Sequence, residues 1–219
     1  LLEGCAVQTP ELIELLAADT RSVSPGAAPR RLALAALAGA GVALALVLGW
    51  LQLQPDLAKA MSGSFFWMKA AYTAALAIAG FWATERLGRP GVSARSAALT
   101  ALAVLALFET IAILQFAPMT GADRLSAVQG VSWTACTRNI VLLAAPMTLI
   151  CLLVLRRLAP TRPMAAGFAA GAFSGAVAAT VYGLHCPEAT FVFVGLWYTL
   201  GVLVSGLIGG LLGRFTLRW

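Results

Sequence analysis

Charge is the scarcest ingredient of this chain: Asp, Glu, Lys and Arg make up 11% of its 219 residues, against 60% hydrophobic. A soluble domain carries about 25% charged residues, so water is excluded as the main solvent. Histidine is almost missing, with His185 standing alone. It neighbours Cys186, but adjacent residues rarely face each other productively as nucleophile and base. The chain has no Gly-rich phosphate loop, no nucleophile elbow and no metalloprotease helix motif. Nothing in it calls for an enzyme. Nor does any basic stripe interleave with aromatics, which argues against direct nucleic-acid binding.

Apolar length is what the sequence has in quantity. Six runs, at 32–53, 64–83, 97–116, 139–155, 164–184 and 191–213, are almost free of charge. About 20 apolar residues cross a bilayer as a helix, and an open sheet would strand its backbone polar groups in lipid. The expected fold is an all-α membrane protein: a six-transmembrane-helix bundle over 32–219, preceded by a cytoplasmic segment, 1–31. The first run is too long and too poorly flanked for a cleaved signal peptide.

Basic residues orient the bundle. Arg21, Arg30, Arg31, Arg86, Arg89, Arg95, Arg156, Arg157, Arg162, Arg214 and Arg218 fall on one side of the runs. Lys59, Arg124 and Arg138 fall on the other. Both termini are therefore expected in the cytoplasm, with the chain crossing its membrane several times. The net charge of +6 is mostly this topology signal.

Within 1–31, "TPELIELLAADT" reads as a short helix, with Thr9 as cap, Pro10 in the first turn, and Glu11 and Glu14 complementing the dipole. Leu12, Ile13, Leu15 and Leu16 form its apolar face. So short a helix is marginal alone. Interfacial helices are usually basic and this one is acidic. Docking on the protein's own loops and helix-in-groove binding to a soluble partner remain. Further on, Gly167, Gly171, Gly175 and Ala179, and Gly201, Ser205, Gly209 and Gly213, recur every fourth residue. Such stripes let helix backbones approach closely. Pro146 should kink or loosen the fourth run.

Two charges lie inside apolar runs, Lys69 and Glu109. At about 1.5 Å per residue both sit roughly 8–10 Å from the outer ends, which permits an intramembrane pair. Such a pair serves structure, or else an ion or proton pathway; a lysine snorkelling outward is the further alternative. Of the four cysteines, Cys5 is cytoplasmic and Cys151 suits a small apolar role. Cys136 and Cys186 share the outer side. Three chemistries fit them: a structural disulfide, a reversible thiol switch, or a soft-metal site with His185 and Glu188 as additional ligands. No resident cofactor is expected beyond a soft metal ion bound transiently at these cysteines.

"PELIELLAADT", "RRLALAALAG", "PTRPMAAG" and "YGLHCPE" followed by "LWYTLG" resemble, in order and spacing, the NrsF family of bacterial membrane anti-sigma factors. The likeness runs from about residue 10 to the C-terminus. It implies a regulator that holds an extracytoplasmic-function sigma factor at the inner membrane and releases it under oxidative or heavy-metal stress. It further implies that Cys136 and Cys186 form the family's outward-facing pair. The acidic helix thereby acquires a soluble partner. The alternatives are a small transporter or channel using Lys69 and Glu109, or a purely structural membrane subunit.

Overall fold

A computed structural model describes residues 9–18 and 26–218, with Leu16 described by its backbone alone; Cys5, Arg21 and 22–25 lie outside these residues. All regular structure among them is helical. The N-terminal helix, α1, is Thr9–Ala18, and what precedes Thr9 lies outside the described residues. Next, α2 (Ala27–Leu46) continues through a wide π-type turn, Val47–Leu51. The short α3 (Leu57–Ser62) leads into α4 (Ser64–Leu87). Then come α5 (Arg95–Phe116), α6 (Gly121–Gln129), α7 (Trp133–Arg156) and α8 (Pro163–Tyr182). A single turn, α9 (Phe191–Phe193), passes through a second π-type segment, Val194–Tyr198, into α10 (Thr199–Thr216).

Among the described residues, five stretches are long and apolar enough to cross a membrane: Ala27–Leu51, Arg95–Phe116, Gly121–Arg156, Pro163–Tyr182 and Phe191–Thr216. The remaining expected run, 64–83, forms α4. Its 24 residues reach roughly 36 Å, but they carry Lys69, Glu85 and Arg86, so composition does not group it with the other five. The fourth run begins as a helix at Trp133, six residues before the apolar stretch at 139. Cys136 therefore sits in the first turn of α7 rather than ahead of it. Pro146 leaves α7 as one unbroken helix.

The centre of the molecule is α8. In its apolar stretch 61% of residues are buried inside the bundle, against 17% for the peripheral α5. Without a hydrophobic drive between helices in lipid, close backbone packing must hold them, and the small-residue stripes supply it. A Cβ on Gly167 would strike the carbonyl of Gly209, and one on Gly171 the carbonyl of Ser205. On the facing helix a Cβ on Gly213 would lie 2.9 Å from the Cα of Gly167. The opposite side of α8 packs Phe173 onto Gly80 of α4, where an added Cβ would approach its Cα to 2.9 Å.

The chain runs up and down, so the helix ends gather into two groups. At one end a core of Leu32, Leu155, Ala166 and Leu217 forms beside the arginine-rich connections. At the other, Val47, Phe108, Cys136, Tyr182, Cys186 and Phe193 pack together. Hydrogen bonds stitch this second end: Gln54 N–H to Leu184 O at 3.2 Å, Phe191 N–H to Gln115 Oε1 at 3.0 Å, and Trp197 Nε1–H to Val128 O at 2.8 Å.

Candidate functional site

The site is built where the first turn of α7 meets the connection between α8 and α9. After Tyr182 the helical ladder closes with His185 and Cys186 N–H groups on the Tyr182 carbonyl, at 2.9 and 3.1 Å. Pro187 has no N–H to continue it. The chain then runs extended to Thr190, whose hydroxyl accepts from Phe193 N–H at 3.3 Å and starts α9. This places Cys186 against Cys136, both fully buried and both free thiols. Cys136 acts on the Cys186 thiol more strongly than any other neighbour and holds it below the ordinary range; burial opposes this, and the Lys69 ammonium adds to the lowering. Ser132 Oγ stands 3.7 Å from the same sulfur.

Glu188 is tied to the opposite wall. Its Oε1 accepts from the backbone N–H groups of Val131 at 2.6 Å and Ser132 at 3.0 Å, and from Ser132 Oγ at 3.1 Å. Ser132 precedes α7 without capping it through its own side chain. The carboxylate thus satisfies orphan donors at the positive end of that helix. Space for it comes from Gly130, at φ +53°, where an added Cβ would lie 2.5 Å from Glu188 Oε2.

Lys69 reaches in from α4 at 3% exposure. Its Nζ donates to the Cys186 carbonyl at 2.9 Å and the Glu188 carbonyl at 3.3 Å, and lies 5.9 Å from the centre of the Tyr198 ring. No ion pair joins it to Glu109 among the described residues. Glu109 instead faces α10: Tyr72 O–H bonds Thr199 Oγ1 at 2.6 Å, and Thr199 bonds Glu109 Oε1 at 3.3 Å. Glu109 lines an apolar cleft of about 480 Å3 between α5 and α10. Depth alone put the two charges level; the register of α4 and α5 turns them toward different neighbours.

His185 turns away from the thiols, its Nδ1 donating to the Gln52 carbonyl at 2.8 Å. The two candidate ligands added to the cysteines thus have other partners, and no three His, Cys, Asp or Glu side chains converge as a metal cage among the described residues. Cys151, also fully buried, lies in the second core with Leu152 and Leu155, in the apolar surroundings expected of it. The expected partner-binding face of α1 is open, with Leu12, Ile13 and Leu15 exposed by 47%, 61% and 62%. The side chain of Leu16 lies outside the described residues.

Sequence reasoning missed Asn139, Tyr182 and Tyr198, all within 3% exposure, whose Oδ1 and hydroxyl oxygens have no hydrogen-bond partner among the described residues. The signal available was a polar residue within each of three apolar runs, but aromatic tyrosines in such runs read as packing. Together with Lys69 they make the surroundings of the thiols the most polar part of the buried interior.

Comparison with known proteins places this arrangement in context. Residues 16–219 match the NrsF family, described as a negative regulator of sigma F. The anti-sigma-F factor NrsF of Caulobacter vibrioides is 50% identical over 216 residues, covering 97% of this chain and 100% of that protein. A protein of Azospira oryzae named "Probable anti-sigma-F factor NrsF" is 40% identical over the same shares. No solved structure matches the chain significantly.

Proposed function

Because the chain belongs to the NrsF family, we propose that it is a membrane anti-sigma factor that sequesters a sigma factor of the extracytoplasmic-function class and releases it when Cys136 and Cys186 meet oxidant or a soft metal ion. The observation that carries this reading is the pair of buried free thiols in one cluster at the end of the bundle opposite the arginine-rich connections. In this reading α4 joins the five apolar stretches as a sixth span. The arginines then mark the cytoplasmic side of a bacterial inner membrane, and the thiols face outward. The exposed apolar face of α1, with Leu12, Ile13 and Leu15, offers the sigma factor a helix to bind.

Signalling of this kind requires that the stimulus favour one packing of the bundle and that the sigma factor bind the two packings differently. Oxidation would join the thiols, and a thiophilic ion would bridge them; either changes how α7 meets the α8–α9 connection. With Lys69 and Glu109 held by different partners, nothing in the bundle favours the transport alternative.

Two arms test the proposal. Deleting residues 1–20 should abolish co-purification of the sigma factor, and undiminished capture removes α1 from the interface. Replacing Cys136 or Cys186 singly with serine should leave sigma-dependent transcription unresponsive to oxidant. A parental response in both variants rejects the thiol mechanism.

A further inference from the structure

A buried ammonium is expensive at membrane depth unless it is paired or hydrated, so the partners of Lys69 are informative. They are two backbone carbonyls, those of Cys186 and Glu188, which stand on either side of Pro187. No backbone N–H among the described residues donates to either carbonyl. A lysine that merely snorkelled would point its charge toward the exposed end of α4, as the neighbouring Trp67 does at 57% exposure. Lys69 turns inward instead, at 3%.

We propose that Lys69 is a positioning residue for the thiol pair, its ammonium clamping the Cys186–Pro187–Glu188 turn so that the Cys186 sulfur stays against Cys136. The proposal rests on the reading of these cysteines as the responsive pair. Glu188 provides the second fixed point, on the amides that precede α7. One short turn is thus anchored to α4 through its main chain and to α7 through a side chain. Lysine suits the first task because three N–H donors on a flexible stem can reach two divergent carbonyls at once. Without the clamp, two buried carbonyls lose their donor and the turn has to move to find another.

The test uses the full chain in detergent, with Cys5 and Cys151 replaced by serine, and diamide as the oxidant. Each disulfide formed takes two electrons and two protons from the thiols of Cys136 and Cys186 and delivers them to the azo bond of diamide, which becomes the hydrazine. Lys69→Met should slow this intramolecular bond by about tenfold or more, the scale on which a small misplacement of reacting atoms acts. Lys69→Arg, which keeps the donors, should recover much of the rate. Alkylation of Cys186, followed in a Cys136→Ser background, should slow by much less, because it feels the lost charge of Lys69 but needs no partner held in place.

A disulfide rate in Lys69→Met equal to the parent's overturns the proposal. So does a loss that Lys69→Arg leaves unrepaired, or one matched by alkylation. If Lys69→Met does not fold, as judged by a cooperative thermal transition, the comparison passes to Lys69→Gln against Lys69→Arg. The glutamine variant should then be slower, and equal rates overturn the proposal. No sigma factor is present in this assay, so its failure removes the role of Lys69 while the regulatory reading stands or falls on its own experiments.

Discussion

Glu188 shows how one side chain serves two elements. Its carboxylate takes two backbone donors and one hydroxyl at the start of α7 while its own carbonyl is held from α4. The two parts of its contribution are separable. Glu188→Gln keeps an acceptor of the same shape and loses the charge at the helix end, which is expected to cost ~0.3–1 kcal/mol. Glu188→Ala also strands the Val131 and Ser132 amides, for an expected ~1–3 kcal/mol. Thermal unfolding in detergent should therefore rank parent, Gln and Ala in that order; equal melting of Gln and Ala would show that the hydrogen bonds contribute nothing. The residue types at this site were legible in the sequence, since His185, Cys186 and Glu188 stand in one short stretch. Their partners were not. Which carbonyl His185 meets, and which amides Glu188 meets, depends on Gln52 and Val131 arriving from far along the chain.

At the scale of elements, the contact of α8 with α10 is the tightest feature. Gly167, Gly171 and Gly209 bring carbonyl oxygens and Cα atoms of the two helices together with no side chain between them. Gly171→Leu should force the pair apart and destabilise the bundle by ~1–3 kcal/mol, the usual scale of overpacking. Gly41→Leu, on α2 where an added Cβ meets open space, should change little. Melting temperatures of the two variants check this, and equal shifts would mean the stripe is not a packing seam. These stripes were readable as a four-residue period because helix spacing depends on local sequence alone. The start of α7 was not, because hydropathy marks where a chain becomes apolar rather than where its helix begins. Lys69 and Glu109 illustrate the same limit, since equal depth on two helices says nothing about rotation around each axis.

At the scale of the whole molecule, the separation of an arginine end from a thiol end is the organising fact. It was visible in the sequence as alternating basic and non-basic connections, and the packing of α2, α4, α7, α8 and α10 brings those connections into two groups. If the arginine end is cytoplasmic, a cysteine placed at Ser93, in a Cys-free background, should resist a membrane-impermeant thiol reagent in intact spheroplasts. One placed at Ser126 should react. Reversed labelling would invert the assigned orientation. The same frame explains why composition alone separates α4 from the other long helices: the polar groups it carries at both ends, Lys69 at one and Glu85 with Arg86 at the other, dilute an otherwise apolar helix.

The two free thiols already share one buried cluster, and this limits any machine built on them. A disulfide holds its two sulfurs roughly 2.05 Å apart, so joining thiols that are already neighbours yields a short stroke. What it changes far more is connectivity. α7 and α8 are two legs of a hairpin closed at the arginine end by residues 157–162, and a link between residues 136 and 186 would shut the open end as well, turning the hairpin into a covalent hoop. A hoop resists splaying without having to move. The message delivered to the far side would then be the loss of a splayed packing rather than the gain of a new one.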